Sequence, residues 1–479
     1  MRARIFAEEN KKWWTLAAVA FGLFMIMLDN TVVNVALPSI GRDLKISIAE
    51  LEWIVTAYAL VFAALLITGG KLADMFGRRR IFVIGLAVFS LSSLACGFAP
   101  SAGFLIGARA AQGIGAALMN PATLSIITAT FPPRQRGQAI GIWAGVSALA
   151  LAIGPLVGGL IVDNIGWNWI FFVNVPIGVL GIVVSQLVIT ESRDTSHEQS
   201  IDLPGLLTSG LALFSLSYAL IEGNRHGWAS AEILGLFAAA AVLLAAFIVL
   251  ETRQRLPMLD LSLFRIGSFV GANVVALLVS LGMFGVFFFV SLYVQNILGY
   301  SPTKAGAIFL PMTILIILIA PIAGKTSDRI GGRWLMGGGM TILGISLLLY
   351  QRIGVHTGFW TLLPALILGG IGMALTMSPM TSVAMGSVPV DKAGVGSGVL
   401  NSFRQIGGAL GIALMGAILA SYLHAPVRSR LAAQQYVDGL HAALLVSAGI
   451  AFAAAIVAIV LVRASPSVET AHVEAAVAA

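Results

Sequence analysis

The stretch Gly70-Lys71-Leu72-Ala73-Asp74-Met75-Phe76-Gly77-Arg78-Arg79-Arg80 forms a charged, glycine-bounded segment between two apolar runs of membrane-spanning length. A weaker copy, Gly324-Lys325-Thr326-Ser327-Asp328-Arg329-Ile330-Gly331-Gly332-Arg333, follows 254 residues later with Gly, Lys, Asp and Gly in register. Four glycines also pair across the chain at an offset of 257: Gly137, Gly141, Gly154 and Gly159 match Gly394, Gly398, Gly411 and Gly416. A repeat of this length in an apolar chain indicates a duplicated membrane bundle, each half carrying the same charged hinge.

The composition requires lipid as the surrounding solvent. The 479 residues are 58% hydrophobic and only 10% charged, whereas a soluble chain carries about 25% charged residues. The net charge of +7 does not indicate a nucleic-acid partner, because the basic residues lie in short loops between apolar runs. The single cysteine, Cys96, excludes an intramolecular disulfide and a cysteine-based metal cluster.

The apolar runs predict an all-α membrane protein with fourteen spans of roughly 20 residues each. The charged segments lie in spans 1–6 and 9–14, so spans 7 and 8 are interpreted as an inserted pair. The predicted domains are an N-terminal six-helix bundle at 1–190, two inserted helices with linkers at 191–266, a C-terminal six-helix bundle at 267–463 and a disordered tail at 464–479. The predicted spans are 14–37, 51–70, 80–99, 104–130, 137–162, 168–190, 204–221, 229–250, 267–295, 304–324, 334–351, 359–388, 394–421 and 441–463.

The loop charges predict the orientation. With fourteen spans, the side that carries both termini has 19 of the 28 Lys and Arg residues, and the opposite side has 7. Cytoplasmic loops are enriched in Lys and Arg, so both termini are predicted to be cytoplasmic. The first apolar run continues past Asp29 to Leu37 without a small-residue cleavage site, which favours a retained first helix over a signal peptide.

Asp29 is the one carboxylate that the sequence places firmly within the hydrocarbon. A buried charge there costs a few kcal/mol and is a functional candidate by default. We therefore expect Asp29 to carry a proton or to anchor a cationic substrate, with a structural carboxylate pinned by an arginine as the alternative. Arg109 and Gln112 follow in span 4, one i+3 step apart on nearly the same helix face, and a snorkelling arginine is the alternative there.

Polar residues inside other spans predict a water-accessible substrate cavity. Arg404 could bind an anionic group or pair with a carboxylate. Glu222 lies at the end of span 7 and is a further candidate for proton coupling, with a solvated loop as the alternative. The predicted cavity residues are Asn30, Asn34, Gln112, Asn120, Tyr293, Asn401 and Arg404.

The two charged segments are predicted to form a cytoplasmic gate, because a carboxylate at a helix end can bind arginine side chains and helix N-termini. The gate residues are Gly70, Asp74, Gly77, Arg78, Asp328 and Arg329. Span 5 ends in a glycine-rich run around a proline, which either bends in a moving bundle or simply packs tightly. Its residues are Gly154, Pro155, Gly158 and Gly159.

Together these residues resemble the major facilitator superfamily, and specifically its fourteen-helix drug:proton antiporter subfamily. Gly70 to Arg80 resembles the family's cytoplasmic loop signature, and Leu28 to Pro38 resembles the subfamily's first-helix motif. Arg109 to Gly113 resembles the fourth-helix motif linked to proton coupling, and Gly154 to Gly159 resembles the antiporter motif of the fifth helix. Asn168 departs from the pattern, because it lies between two tryptophans where the family usually has arginine.

The resemblance implies a plasma-membrane antiporter, acting as a monomer, that exports lipophilic, cationic compounds in exchange for protons. It implies the major facilitator fold, energy from the proton gradient with no cofactor or metal, and no enzymatic activity; the sequence itself has no Walker A loop and no metal-spaced histidine pair. Export of one specific metabolite or lipid, and a non-transporting membrane sensor, are the alternative functions.

Overall fold

The computed structural model describes residues 8–193, 202–254, 259, 261–388, 393–424 and 430–463. Within that part of the chain the secondary structure is helical and contains no strand. Two short 3-10 helices, Leu261–Arg265 and Tyr350–Arg352, accompany the α-helices. The α-helices are α1 (Glu8–Leu44), α2 (Ile48–Phe76), α3 (Arg78–Gly97), α4 (Ala102–Thr130), α5 (Pro133–Asn164), α6 (Trp169–Phe172), α7 (Asn174–Val188), α8 (Leu203–His226), α9 (Ala231–Arg253), α10 (Gly267–Asn296), α11 (Pro302–Ile308), α12 (Leu310–Ile330), α13 (Gly332–Leu349), α14 (Phe359–Gly386), α15 (Ala393–Ala420) and α16 (Arg430–Leu461).

The predicted all-α membrane fold is confirmed. Thirteen helices among the described residues are long and apolar enough to cross a membrane. The predicted span at 137–162 lies in α5, of which Ile153–Asn164 qualifies as a shorter apolar helix. The last predicted span, 441–463, began too late, since α16 starts at Arg430. The predicted tail at 464–479 lies outside the described residues.

The chain divides into two compact units. Unit 1 comprises Met1–Leu259 and Phe287–Ala307, and unit 2 comprises Asp260–Val286 and Ile308–Ala479. The end of α10 and the start of α11 therefore belong with the N-terminal helices, and so do the predicted inserted helices α8 and α9. The domain boundaries read from the sequence remain a prediction.

Small residues bring the helices of unit 1 into close contact. Here α1 packs against α5, α4 packs against both α2 and α3, and α8 packs against α9 and α2. A methyl group added at Gly115 would lie 2.5 Å from the Phe89 backbone nitrogen on α3, and one added at Gly69 would meet the Ala117 carbonyl on α4. Glycine is needed at both positions because the neighbouring backbone occupies the space of a side chain.

Unit 2 uses the same packing device. Its helix α14 packs against α12 and α13, and α16 packs against α13 and α15. Gly339 on α13 and Gly372 on α14 face each other, and a methyl group on either would lie 2.8 or 2.7 Å from the other's carbonyl oxygen.

A glycine joint recurs in the two units at the repeated charged segments. Gly77 separates α2 from α3 with φ +109°, and Gly331 separates α12 from α13 with φ +84°. Side chains disfavour positive φ, so the repeat keeps the residue that allows one helix to end and the next to begin within a single position.

Candidate functional site

The centre of unit 1 contains a buried ion pair between α1 and α4. Arg109 Nη1 donates to Asp29 Oδ2 at 2.5 Å, and each side chain is 1% exposed. Gln112, one turn beyond Arg109, accepts a hydrogen bond from Arg109 Nη1 at 2.6 Å and donates to Asp29 Oδ1 at 3.0 Å. The i+3 spacing read from the sequence thus brings both side chains onto the same carboxylate.

A shell of neutral donors completes the site around Asp29. Asn174 on α7 donates to Asp29 Oδ1 at 3.3 Å and to Ser93 Oγ on α3 at 3.0 Å. Gln112 also donates to Ser93 Oγ, at 3.2 Å, and the Ser93 hydroxyl donates a hydrogen bond to the carbonyl oxygen of Phe171 at 2.9 Å. Donors from α4 and α7 therefore hold the carboxylate of α1, and Ser93 on α3 links two of these donors. No sequence pattern indicated the roles of Ser93 and Asn174.

The guanidinium of Arg109 is held from a second direction by α2. Its Nε donates to the carbonyl oxygen of Ile54 at 3.2 Å, and its Cζ lies 4.2 Å from the centre of the Tyr58 ring. A buried ion pair compensates its desolvation only when hydrogen bonds satisfy the remaining donors and acceptors, and this pair meets that condition. Loss of the negative charge on Asp29 would leave Arg109 as an uncompensated buried cation.

The other predicted cavity residues do not join this cluster. Asn30 and Asn34 are buried, and their amide nitrogens donate back to carbonyls of their own helix at 3.1 and 3.2 Å. Asn120 is buried, and Tyr293 is fully buried within unit 1. Asn401, in unit 2, donates to the Ser397 carbonyl one turn earlier at 3.1 Å.

Arg404 lies on α15 in unit 2 and is half-buried. The role predicted for it and for the other cavity residues remains a prediction.

An open surface depression of about 450 Å³, named here the α1–α5 cavity, lies between α1 and α5, and its residues Phe21 and Ile142 are exposed. Its lining is almost entirely apolar and contains three aromatic side chains, a surface that fits a lipid tail as well as another lipophilic molecule. The sequence analysis missed it, although the spacing of its α1 residues follows one helical face. The lining residues are Trp13, Leu16, Ala17, Ala20, Phe21, Phe24, Ile142 and Val146.

The predicted gate residues of the first half are ordered around the α2–α3 joint. Arg78 Nε donates to Asp74 Oδ1 at 2.9 Å, and Arg78 Nη1 reaches the carbonyl of Ser125 on α4 at 3.4 Å. A methyl group at Gly70 would lie 3.4 Å from Pro121 on α4, an ordinary contact. The side chains of Asp328 and Arg329, the counterparts in the second half, lie outside the described residues.

A carboxylate from beyond α7 caps the N-terminus of α3 at this joint. Glu191 accepts hydrogen bonds from the backbone nitrogens of Arg79 and Arg80 at 3.0 and 3.1 Å. The first turn of a helix carries unsatisfied N–H groups and a partial positive charge, so Glu191 stabilises the start of α3. A methyl group at Gly77 would lie 2.7 Å from the Glu191 carboxyl carbon, so the close approach of Glu191 also requires glycine at this position.

The glycine-rich motif of α5 packs α5 against two other parts of unit 1. Gly154 contacts the Thr31 side chain on α1, and a methyl group at Gly158 would lie 3.0 Å from Val32. Gly159 approaches the backbone of Pro302, at the start of α11, and the Pro155 carbonyl occupies the space of a side chain at Gly306. These contacts show tight packing of the motif, and its predicted role in motion remains a prediction.

The structure also gives the positions of Glu222 and Asn168, two residues singled out in the sequence. Glu222 was expected at a mouth, with a solvated loop as one interpretation, but it lies inside α8 and is 8% exposed. The loop interpretation was wrong because α8 continues to His226, beyond the apolar run. Asn168, at the family's usual arginine position, donates to the carbonyl of Gly97 at 2.7 Å.

Comparison with known proteins defines the class. The chain is 38% identical to the multidrug resistance protein Stp of Mycobacterium tuberculosis over 420 residues, which is 87% of this chain and 78% of that protein. It is 37% identical to the tetracenomycin C resistance and export protein of Streptomyces glaucescens, over 86% of this chain and 77% of that protein. The puromycin resistance protein of Streptomyces alboniger is also 37% identical, over 86% of this chain and 82% of that protein.

The fold comparison agrees. The crystal structure of a bacterial homologue of the human lysosomal transporter Spinster superposes with a TM-score of 0.67 over 95% of this chain and 97% of that chain, at 18% sequence identity. This likeness shows that the two chains share a fold. The sequence pattern of the Major Facilitator Superfamily matches residues 19–412 and again 272–477, and the chain belongs to that superfamily.

Proposed function

We propose that the protein is a proton-coupled antiporter that exports lipophilic compounds by alternating access. The observation that carries the proposal is the buried Asp29–Arg109 pair, at 2.5 Å, inside a bundle of this superfamily. Relatives named as multidrug, tetracenomycin C and puromycin resistance proteins support a drug-sized organic substrate. The apolar, aromatic lining of the α1–α5 cavity supports lipophilic substrates.

In the proposed mechanism, Asp29 exchanges one proton for each change of state. The ionised carboxylate holds Arg109 and closes the cluster between α1, α4 and α2. Protonation removes the charge that stabilises Arg109, and the guanidinium then keeps the Ile54 carbonyl, the Tyr58 ring and Gln112 as partners, so the link between α4 and α1 weakens. The proton leaves again when substrate binding, or the opposite state, restores the ionised pair. Gln112 and Asn174 hold Asp29 in place in both protonation states, because amide groups bond to either form.

The finer parts of the proposal follow from the sequence. Both termini are cytoplasmic, the membrane is the plasma membrane, and the protein works as a monomer on the proton gradient without a cofactor. The charged segments around Asp74 and Asp328 act as the cytoplasmic gate. A cationic charge on the substrate is proposed because an acidic residue lies deep in the bundle, whereas the lining of the α1–α5 cavity also suits neutral compounds.

The test uses purified protein in liposomes that contain a pH dye. A panel of lipophilic cations and neutral analogues of similar size is added to the wild type, to Asp29→Asn and to the control Asp438→Asn, whose carboxylate is exposed on α16. Substrate-driven proton flux in the wild type and the control, lost in Asp29→Asn, is the expected result. Flux that persists in Asp29→Asn would move coupling elsewhere.

Two alternatives predict different results in the same assay. Flux with only one class of compound would indicate export of a specific metabolite or lipid. The absence of flux with every compound would favour a non-transporting sensor.

A further inference from the structure

Two buried carboxyl groups lie between α2 and α8, apart from the Asp29 cluster. Glu52 is 3% exposed and Glu222 is 8% exposed. The indole Nε1 of Trp53 donates to Glu222 Oε1 at 3.3 Å, which fixes the register of the two helices. Glu52 is the neighbour of Trp53 on α2, so the hydrogen bond from Trp53 to Glu222 brings Glu52 near Glu222, and the charge of Glu222 acts on Glu52.

The charges around this pair do not neutralise it. On α8, Arg225 Nη1 lies 3.8 Å from Glu222 Oε2, but the arginine side chain is 79% exposed. On α9, Glu232 adds negative charge, and it pairs with His226 Nδ1 at 2.6 Å. Arg109 on α4, a buried cation, is already bound to Asp29 on α1 and to the Ile54 carbonyl.

The two carboxyl groups differ in their donors. Glu222 has the Trp53 indole and the Arg225 guanidinium near it, although its Oε2 accepts no hydrogen bond from the described residues. No residue in the described part of the chain donates a hydrogen bond to the Glu52 carboxyl. Two carboxylates that share a buried site cannot both remain ionised, because each disfavours the charge of the other and burial disfavours both. The proton of the pair therefore resides on Glu52, the carboxyl group that has no donor among the described residues.

We propose that Glu52 and Glu222 form a second proton-binding site, in which Glu52 takes up and releases one proton beside the carboxyl group of Glu222. A proton fits this site better than a metal ion, since the described residues contain no group of three His, Cys, Asp or Glu side chains that could hold one. Through this site α8, one of the two helices predicted to be inserted between the repeated halves, takes part in proton binding. Its contribution to coupling rests on the proposed antiport, whereas the presence of the bound proton does not.

The first experiment detects the proton directly, by infrared spectroscopy of the purified protein labelled with carbon-13 glutamate. The label separates glutamates from Asp29. At neutral pH, the spectrum of the wild type minus the spectrum of Glu52→Gln should show one protonated glutamate carboxyl group. The contribution of Glu251, a buried glutamate outside the pair, cancels in this difference. Glu222→Gln should keep the signal, because Glu52 remains buried without a donor.

Two outcomes of this experiment overturn the proposal. One is a difference spectrum without a protonated carboxyl, and the other is a signal that survives in Glu52→Gln but is lost in Glu222→Gln, which would put the proton on the wrong group. If Glu52→Gln does not fold, the wild type compared with Glu222→Gln and Glu251→Gln still decides. A wild type whose only protonated glutamate disappears in Glu251→Gln contradicts the site.

The second experiment tests the role in coupling. In the liposome assay, protons exchanged per substrate should fall in Glu52→Gln while substrate exchange without a proton gradient continues. An unchanged ratio beside a positive infrared result would refute the coupling role and retain the proton site. Loss of all flux in the wild type would instead refute the proposed antiport.

Discussion

Breaking the Asp29–Arg109 pair from one side should destabilise the protein strongly. Arg109→Gln removes the guanidinium that meets Asp29 at 2.5 Å and leaves a carboxylate, 1% exposed, with only the Gln112 and Asn174 amides as donors. Removing one partner of a buried pair costs about 3–5 kcal/mol, since the remaining charge is uncompensated. The double variant Asp29→Asn/Arg109→Gln removes both charges and should return to within about 2 kcal/mol of the wild type.

The assay is equilibrium unfolding in mixtures of a mild detergent and a denaturing detergent. It is measured for the wild type, both single variants and the double variant. The cycle gives the interaction energy of the pair without assuming what each residue contributes alone. The control pair is Asp74–Arg78, which is partly exposed with a 2.9 Å contact, so Arg78→Gln should cost less than about 1 kcal/mol. Equal costs for Arg109→Gln and Arg78→Gln, or a double variant as unstable as the sum of its singles, would refute the reasoning.

Three further changes test separate parts of the structure. Gly77→Ala should destabilise by about 1–3 kcal/mol in the same unfolding assay, because its φ is +109° and the methyl group would meet Glu191; wild-type stability would contradict the joint. Phe24→Ala in the α1–α5 cavity should weaken binding of a lipophilic fluorescent substrate several-fold, whereas Phe98→Ala, exposed elsewhere, should not; equal affinities would remove the cavity from the binding site. Ser93→Ala should cost about 1–3 kcal/mol and slow transport, because each of two buried amides loses one of its two acceptors; unchanged transport would show that this shell is dispensable.

Local patterns in the sequence were sufficient to predict the helices and the repeat. Runs of about 20 apolar residues gave nearly every helix, because an intramembrane backbone must satisfy its own hydrogen bonds. The repeated segment identified Gly77 and Gly331, and the structure shows that both have a positive φ, which explains why glycine occupies these positions. Errors fell at helix ends such as Glu222 and Arg430, where helical backbone continues past the last apolar residue.

Which residues meet in the site depends on which helices face each other. Local sequence patterns do not carry that information. Asp29 and Arg109 are 80 positions apart, and the sequence left a pinned carboxylate as one of two interpretations. Ser93 and Asn174 are ordinary polar residues in apolar spans, and only packing identifies them as partners of the same carboxylate. Glu52 was missed because it lies at the start of a predicted span, where a charge usually faces water.

The measurement that tests the central claim most directly compares two transport modes of Asp29→Asn in liposomes with a labelled lipophilic substrate. One mode is uptake against a concentration gradient driven by an imposed pH difference. The other is exchange of labelled for unlabelled substrate without any pH difference. Our account predicts that Asp29→Asn loses the driven uptake and retains the exchange, because the amide side chain resembles the protonated carboxyl group and cannot take up or release the coupling proton. Driven uptake that persists at the wild-type rate in Asp29→Asn would contradict it.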